Sequence, residues 1–242
     1  MSQHDPLTPK PPPGQDFLPC DDGEPMETSR HRFLMNLLID SLADAWADRD
    51  EFFVGGNMFV YYSELQLKRN DFRGPDVFVV LDVERKERKC WVPWEEGGRL
   101  PDVVIELTSD STRRVDHVDK KRLYAKVWRL PAYFIFDPET AELEGFALDA
   151  TRREYVPLEP DERGDLPVAS LGLRLGVRPG AIHEFEGDFL RWIDERGEPL
   201  PAPTERAERA HERAEREQAR ADEAQAEVER LRAELERLRS RD

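Results

Sequence analysis

Three periodicities divide the chain. Phe33, Leu34, Leu37, Leu38, Leu42, Ala45 and Trp46 recur at helical spacing and predict one amphipathic helix from Ser29 to Trp46, with Thr28 as its N-cap. Short apolar runs then take over. Phe52 to Tyr62 reads as a long strand bent at Gly55-Gly56. Asp76-Val77-Phe78-Val79-Val80-Leu81 reads as a strand buried on both faces, and Val103-Val104-Ile105-Glu106-Leu107 as its neighbour.

Ser109 to Thr112 offers capping chemistry for a helix from about Arg113 to Arg129. Val115, Val118, Leu123, Val127 and Tyr124 are its expected buried side, and Arg113, Arg114, Lys120, Lys121, Arg122 and Lys126 make one face cationic. Leu130-Pro131 ends it, and Tyr133 to Phe136 returns as a fourth strand. Leu143 to Leu148 and Glu154 to Leu158 read as a hairpin turning near Asp149-Ala150-Thr151, followed by short elements at Leu171 to Val177 and Phe189 to Ile193.

The third periodicity has a seven-residue step. Ala207, Ala214, Ala221, Val228 and Leu235 fall at one core position, and Ala210, Glu217, Ala224, Leu231 and Leu238 at the other. This predicts a long helix that self-associates as a coiled coil, with a homodimer expected. The chain therefore divides into a Pro-rich mobile arm at 1–19, one α/β domain at 20–198, a Pro-rich linker at 199–203 and a coiled-coil helix at 204–242.

Charge sharpens the picture. Thr204 to Asp242 carries 12 acidic and 10 basic residues, so almost all of the net charge of −16 lies in the preceding residues. Non-specific duplex binding calls for a basic footprint, so the acidic body weighs against a nucleic-acid partner unless a basic patch is local. Cys20 and Cys90 are isolated and lack metal-ligand spacing, which fits a reducing, cytoplasmic setting. The sequence has no apolar run of membrane-spanning length, and no membrane partner is expected.

The candidate chemistry lies in the strands. A carboxylate inside an apolar strand is costly to bury unless it is paired or ligated, and Asp76 and Glu106 both sit in such runs. Antiparallel pairing of the two strands would bring both to one end of the sheet, where Lys120 of the following helix can reach them. Two carboxylates suit Mg²⁺ or Mn²⁺, hard ions that keep several waters, and a nearby lysine can orient or deprotonate water or stabilise a phosphoryl transition state. This is the inventory of a metal-dependent phosphodiesterase. Taken singly, Asp76 could instead cap a turn, and Glu106 could pair with a buried arginine.

Read together and in order, Arg73-Gly74-Pro75-Asp76 with Val77 to Leu81, Pro101 to Glu106 with Ser109 to Thr112, Asp119-Lys120-Lys121-Arg122-Leu123-Tyr124, and Tyr133 to Pro138 resemble the Uma-type putative restriction endonuclease family of the PD-(D/E)xK nuclease superfamily. The resemblance implies a restriction-endonuclease-like mixed sheet flanked by helices. It further implies cleavage of DNA, dependence on Mg²⁺ or Mn²⁺, and Asp76 and Glu106 as the metal ligands. Thr108 stands where the superfamily signature places its lysine. The resemblance moves that role to Lys120, with Lys121 as the fallback, and marks Glu24 and His31 as accessory positions; on residue type alone, His31 reads as a surface group. The rival expectation is a catalytically silent nuclease-like scaffold assembling through its coiled coil.

Overall fold

The computed structural model describes residues 13–16, 18, 28–63, 72–109, 111–182 and 185–240, so Glu24 and most of the link after Tyr62 lie outside the described residues. The chain forms two units, Met1–Leu200 and Pro201–Asp242. The first opens with helix α1, Ser29–Ala45, whose N-cap Thr28 accepts from the His31 backbone N–H at 3.1 Å. Leu34, Leu38 and Leu42 on its inner side are fully buried.

The expected long strand is two strands, β1 (Phe52–Gly55) and β2 (Val60–Tyr61). The break has a steric cause. At Gly56 a Cβ would stand 2.1 Å from the Asp76 carbonyl oxygen, so the backbone there runs hard against the strand that carries the candidate site. β3 (Phe72–Arg73) pairs with β2 as a small separate ribbon.

The six-stranded sheet is completed by β4 (Val77–Leu81), β5 (Val103–Leu107), β6 (Ala132–Phe136), β7 (Leu143–Asp149) and β8 (Glu154–Pro157), in the order β1-β4-β5-β6-β7-β8. β5 and β6 are parallel and all other neighbours antiparallel, the mixed α/β arrangement expected. β9 (Leu166–Val168), β10 (Leu173–Ile182) and β11 (Phe185–Ile193) make a second antiparallel sheet, its last two strands much longer than the short elements anticipated. This sheet packs on α1, where Trp192 Nε1 donates to the Leu38 carbonyl at 2.8 Å.

The connection from β5 to β6 is the helix α2. It consists of a π-wound segment Val115–Lys120, an α turn Lys121–Leu123 and a second π-wound segment Tyr124–Trp128, stopped by Arg129 in the left-handed conformation. Its buried side is Asp116, Tyr124, Ala125 and Trp128, while Val115, Val118 and Val127 are exposed, contrary to the α-helical expectation. Winding explains the difference. An α-helix advances 100° per residue and a π-helix roughly 80°, so alternating them makes a four-residue step close to one whole turn. Asp116, Lys120, Tyr124 and Trp128 thereby line one face.

That face meets Phe78, Val80, Val104, Tyr133 and Ile135, which form one core with Tyr124 and Trp128. Glu106 has the parity of Val104 along β5 and so projects to the same side. The N-terminal arm is attached where it is described: Leu18 is buried with Phe59, Tyr61, Cys90 and Val92, and Lys89 pairs with Asp16 at 2.6 Å. The second unit is a single helix, α3, Pro203–Arg239, its first position taken by a proline, which has no amide to leave unsatisfied.

Candidate active site

β4 and β5 are antiparallel with Val77 opposite Ile105, so the next step along the ladder sets Asp76 opposite Glu106. Each carboxylate is fixed by the other's strand. The Leu107 N–H donates to Asp76 Oδ2 at 2.7 Å, and the Asp76 N–H donates to Glu106 Oε2 at 3.4 Å. The anticipated convergence of two acids thirty positions apart is therefore present.

Lys120 completes the group. Its Nζ lies 2.9 Å from Glu106 Oε2 and 2.9 Å from Asp116 Oδ1, the latter without the alignment of a hydrogen bond. The other Glu106 oxygen, Oε1, accepts from Tyr124 Oη at 2.8 Å, and Tyr133 Oη donates to the Asp116 carbonyl at 2.9 Å. On the open side, His31 Nε2 stands 2.9 Å from Asp76 Oδ1. The site thus grades from a fully buried Glu106 to an Asp76 whose side chain is 19% exposed.

Burial pushes the Glu106 carboxyl up to about 8; Lys120 opposes the shift, and the like charges of Asp76 and Asp116 add to it. Burial also works against the Lys120 ammonium, but Glu106, Asp116 and Asp76 outweigh it and hold its pKa above the usual lysine range. In this coupled pair the ammonium is the firm charge and the carboxylate the marginal one. Burial and the Glu106 charge keep Tyr124 and Tyr133 as neutral hydroxyls.

Among the described residues, the cluster gathers three carboxyl groups, Asp76, Glu106 and Asp116, around the Lys120 ammonium, with His31 beside Asp76. Its hard oxygen donors and its unfavourably buried Glu106 fit a divalent cation at Asp76 and Glu106. No group of three or more His, Cys, Asp or Glu side chains placed to hold a metal occurs among the described residues, so water and substrate oxygens would supply the remaining ligands.

Lys121, the fallback, points elsewhere, with its Nζ 3.2 Å from the centre of the Phe146 ring. His31 is not the surface group its residue type suggested, because α1 delivers it onto Asp76. Asp116 and Tyr124 were missed. Their signal was the four-residue spacing Asp116, Lys120, Tyr124, a stripe that a regular α-helix would smear around its axis.

Residues 20–182 match the family model Uma2, described as Putative restriction endonuclease. No curated protein matches the chain. A structural relative among solved proteins is the crystal structure of a putative nuclease belonging to DUF820 from Anabaena variabilis ATCC 29413; it is 15% identical, with a TM-score of 0.44, over 62% of this chain and 80% of that one. Because the family match spans more than half of the sequence, the chain belongs to the Uma2 putative restriction endonuclease family.

Proposed function

We propose that this protein is a metal-dependent DNA endonuclease whose site comprises Asp76, Glu106 and Lys120. The observation that carries the reading is the approach of Lys120 Nζ to within 2.9 Å of Glu106 Oε2, on the carboxylate that also accepts from the Asp76 amide. Asp76 and Glu106 would hold Mg²⁺ or Mn²⁺. A bound divalent ion supplies charge neutralisation at the phosphate and a water acidic enough to attack phosphorus.

The protein groups have separable tasks. Tyr124 holds Glu106 at one oxygen and leaves the other toward Asp76 and Lys120. His31 sets the orientation of Asp76. Lys120 remains protonated, so it acts as a fixed cation and donor toward charge that builds on the phosphate, rather than as the base. Hydrolysis breaks one phosphorus–oxygen ester bond as the water oxygen bonds to phosphorus, and the leaving oxygen takes up a proton.

The acidic body, with net charge −16, favours a second reading: a nuclease-like scaffold whose exposed α3 assembles copies of the chain without cleavage. Nicking of supercoiled plasmid separates the two. The endonuclease reading predicts nicking with Mg²⁺ or Mn²⁺ that EDTA abolishes and that Asp76→Ala lacks. Identical traces for wild type and variant would leave the scaffold.

A further inference from the structure

α3 is a 37-residue helix, about 55 Å long, whose Val228 and Leu231 side chains are 45% and 48% exposed. We infer that it forms a parallel, in-register two-stranded coiled coil with a second copy of this chain, gripping through its last two heptads. The inference does not depend on the nuclease chemistry.

The core positions locate the grip. From Ala207 to Ala224 they hold only alanine and Glu217, a shallow seam with a buried-charge defect. Val228, Leu231, Leu235 and Leu238 then fill four successive positions with branched apolar residues. Valine at the first core position with leucine at the second favours two strands.

The flanking charges fix the direction. In a parallel pair, the residue just before a first core position faces the residue five further along on the other strand. Glu227 then faces the partner's Arg232, a pairing that occurs twice by symmetry. Reversing one strand while stacking the same apolar layers would set Arg232 against Arg232. Upstream, the corresponding pairs are Arg206 with His211, Arg213 with Gln218 and Arg220 with Gln225, none of them complementary. Attraction and apolar bulk thus coincide in one short segment. Within one helix Glu227 is paired with Arg230 at 2.6 Å, an exposed contact that exchanges at small cost.

The test uses the whole 242-residue chain. Sedimentation should give a dimer, and Leu231→Asp should weaken it by about tenfold or more, since it removes a buried leucine from each strand. Leu231 is exposed in the single chain and belongs to the second unit, and an unchanged melting temperature would show that the variant still folds. Val228→Cys in a Cys20→Ser background should form an intermolecular disulfide under mild oxidation, because in-register core positions bring the two thiols together. A monomer, a dimer indifferent to Leu231→Asp, or a dimer whose Val228→Cys form does not crosslink would overturn the inference.

Discussion

Tyr124 Oη donates to Glu106 Oε1 at 2.8 Å across the boundary between α2 and β5, both side chains wholly buried. This bond anchors that oxygen and so helps decide how the carboxylate is presented. Tyr124→Phe removes the hydroxyl without opening a cavity, and should cost about 1–3 kcal/mol of stability. Nicking should fall further than the lost folded fraction explains. Urea denaturation and initial nicking rates, measured side by side, check both effects; equal activity per folded molecule would show that Tyr124 serves the fold alone.

Lys120 balances Glu106 and Asp116, its ammonium 2.9 Å from a carboxylate oxygen of each. Lys120→Met should destabilise the fold by about 3 kcal/mol, the lower end of the cost of stripping one partner from a buried pair, because Glu106 can take up a proton instead. Asp116→Asn should be milder and should leave Lys120 on Glu106. Denaturation at neutral pH distinguishes the two variants.

The pH dependence of stability has a definite sign. The folded-state pKa of Glu106 is raised, so the folded protein holds that proton more tightly than the unfolded chain. Its contribution is fully present below the usual carboxylate pKa of 4.5 and is lost as pH rises to about 8. Stability should therefore decline across that window, and Glu106→Gln should flatten the decline. Mg²⁺ or Mn²⁺ should raise the melting temperature at pH 8 in wild type and much less in Glu106→Gln. Parallel pH profiles for the two proteins would contradict the assignment.

Gly56 places backbone where a side chain will not fit. Its missing Cβ would meet the Asp76 carbonyl oxygen at 2.1 Å, so Gly56→Ala must push β4 at the residue carrying the open side of the site. The expected cost is about 1–3 kcal/mol, with loss of nicking among the molecules that still fold. Gly74→Ala, where a Cβ would find Phe59 no nearer than 3.7 Å, is the control and should be close to neutral.

Much of this was legible in the sequence, and the exceptions have physical reasons. The β-branched runs Val77–Leu81 and Val103–Leu107 could only be buried strands, and their antiparallel register put Asp76 opposite Glu106. Lys120 was reachable because a helix after β5 must cross back over the sheet. The exposure of Val115, Val118 and Val127 was hidden because hydrophobic spacing presupposes α-winding, which most of α2 lacks. Asp116 was passed over for the same reason. The His31 contact is long-range, between the start of α1 and the start of β4, and no local pattern carries it. The break at Gly56 depends on the approach of another strand, and the attachment of Leu18 on a pocket assembled from distant segments.

In the proposed endonuclease, Asp76, Glu106 and Lys120 work as one unit on a phosphodiester. The direct measurement is the single-turnover rate of plasmid nicking with saturating Mn²⁺ for wild type, Asp76→Ala, Glu106→Gln and Lys120→Ala, each corrected for its folded fraction. The predicted result is a loss of roughly a hundredfold or more in every variant, with the Asp76→Ala/Lys120→Ala double variant scarcely worse than either single change, as expected of groups that act together. A wild-type rate retained in any one of the three would contradict it.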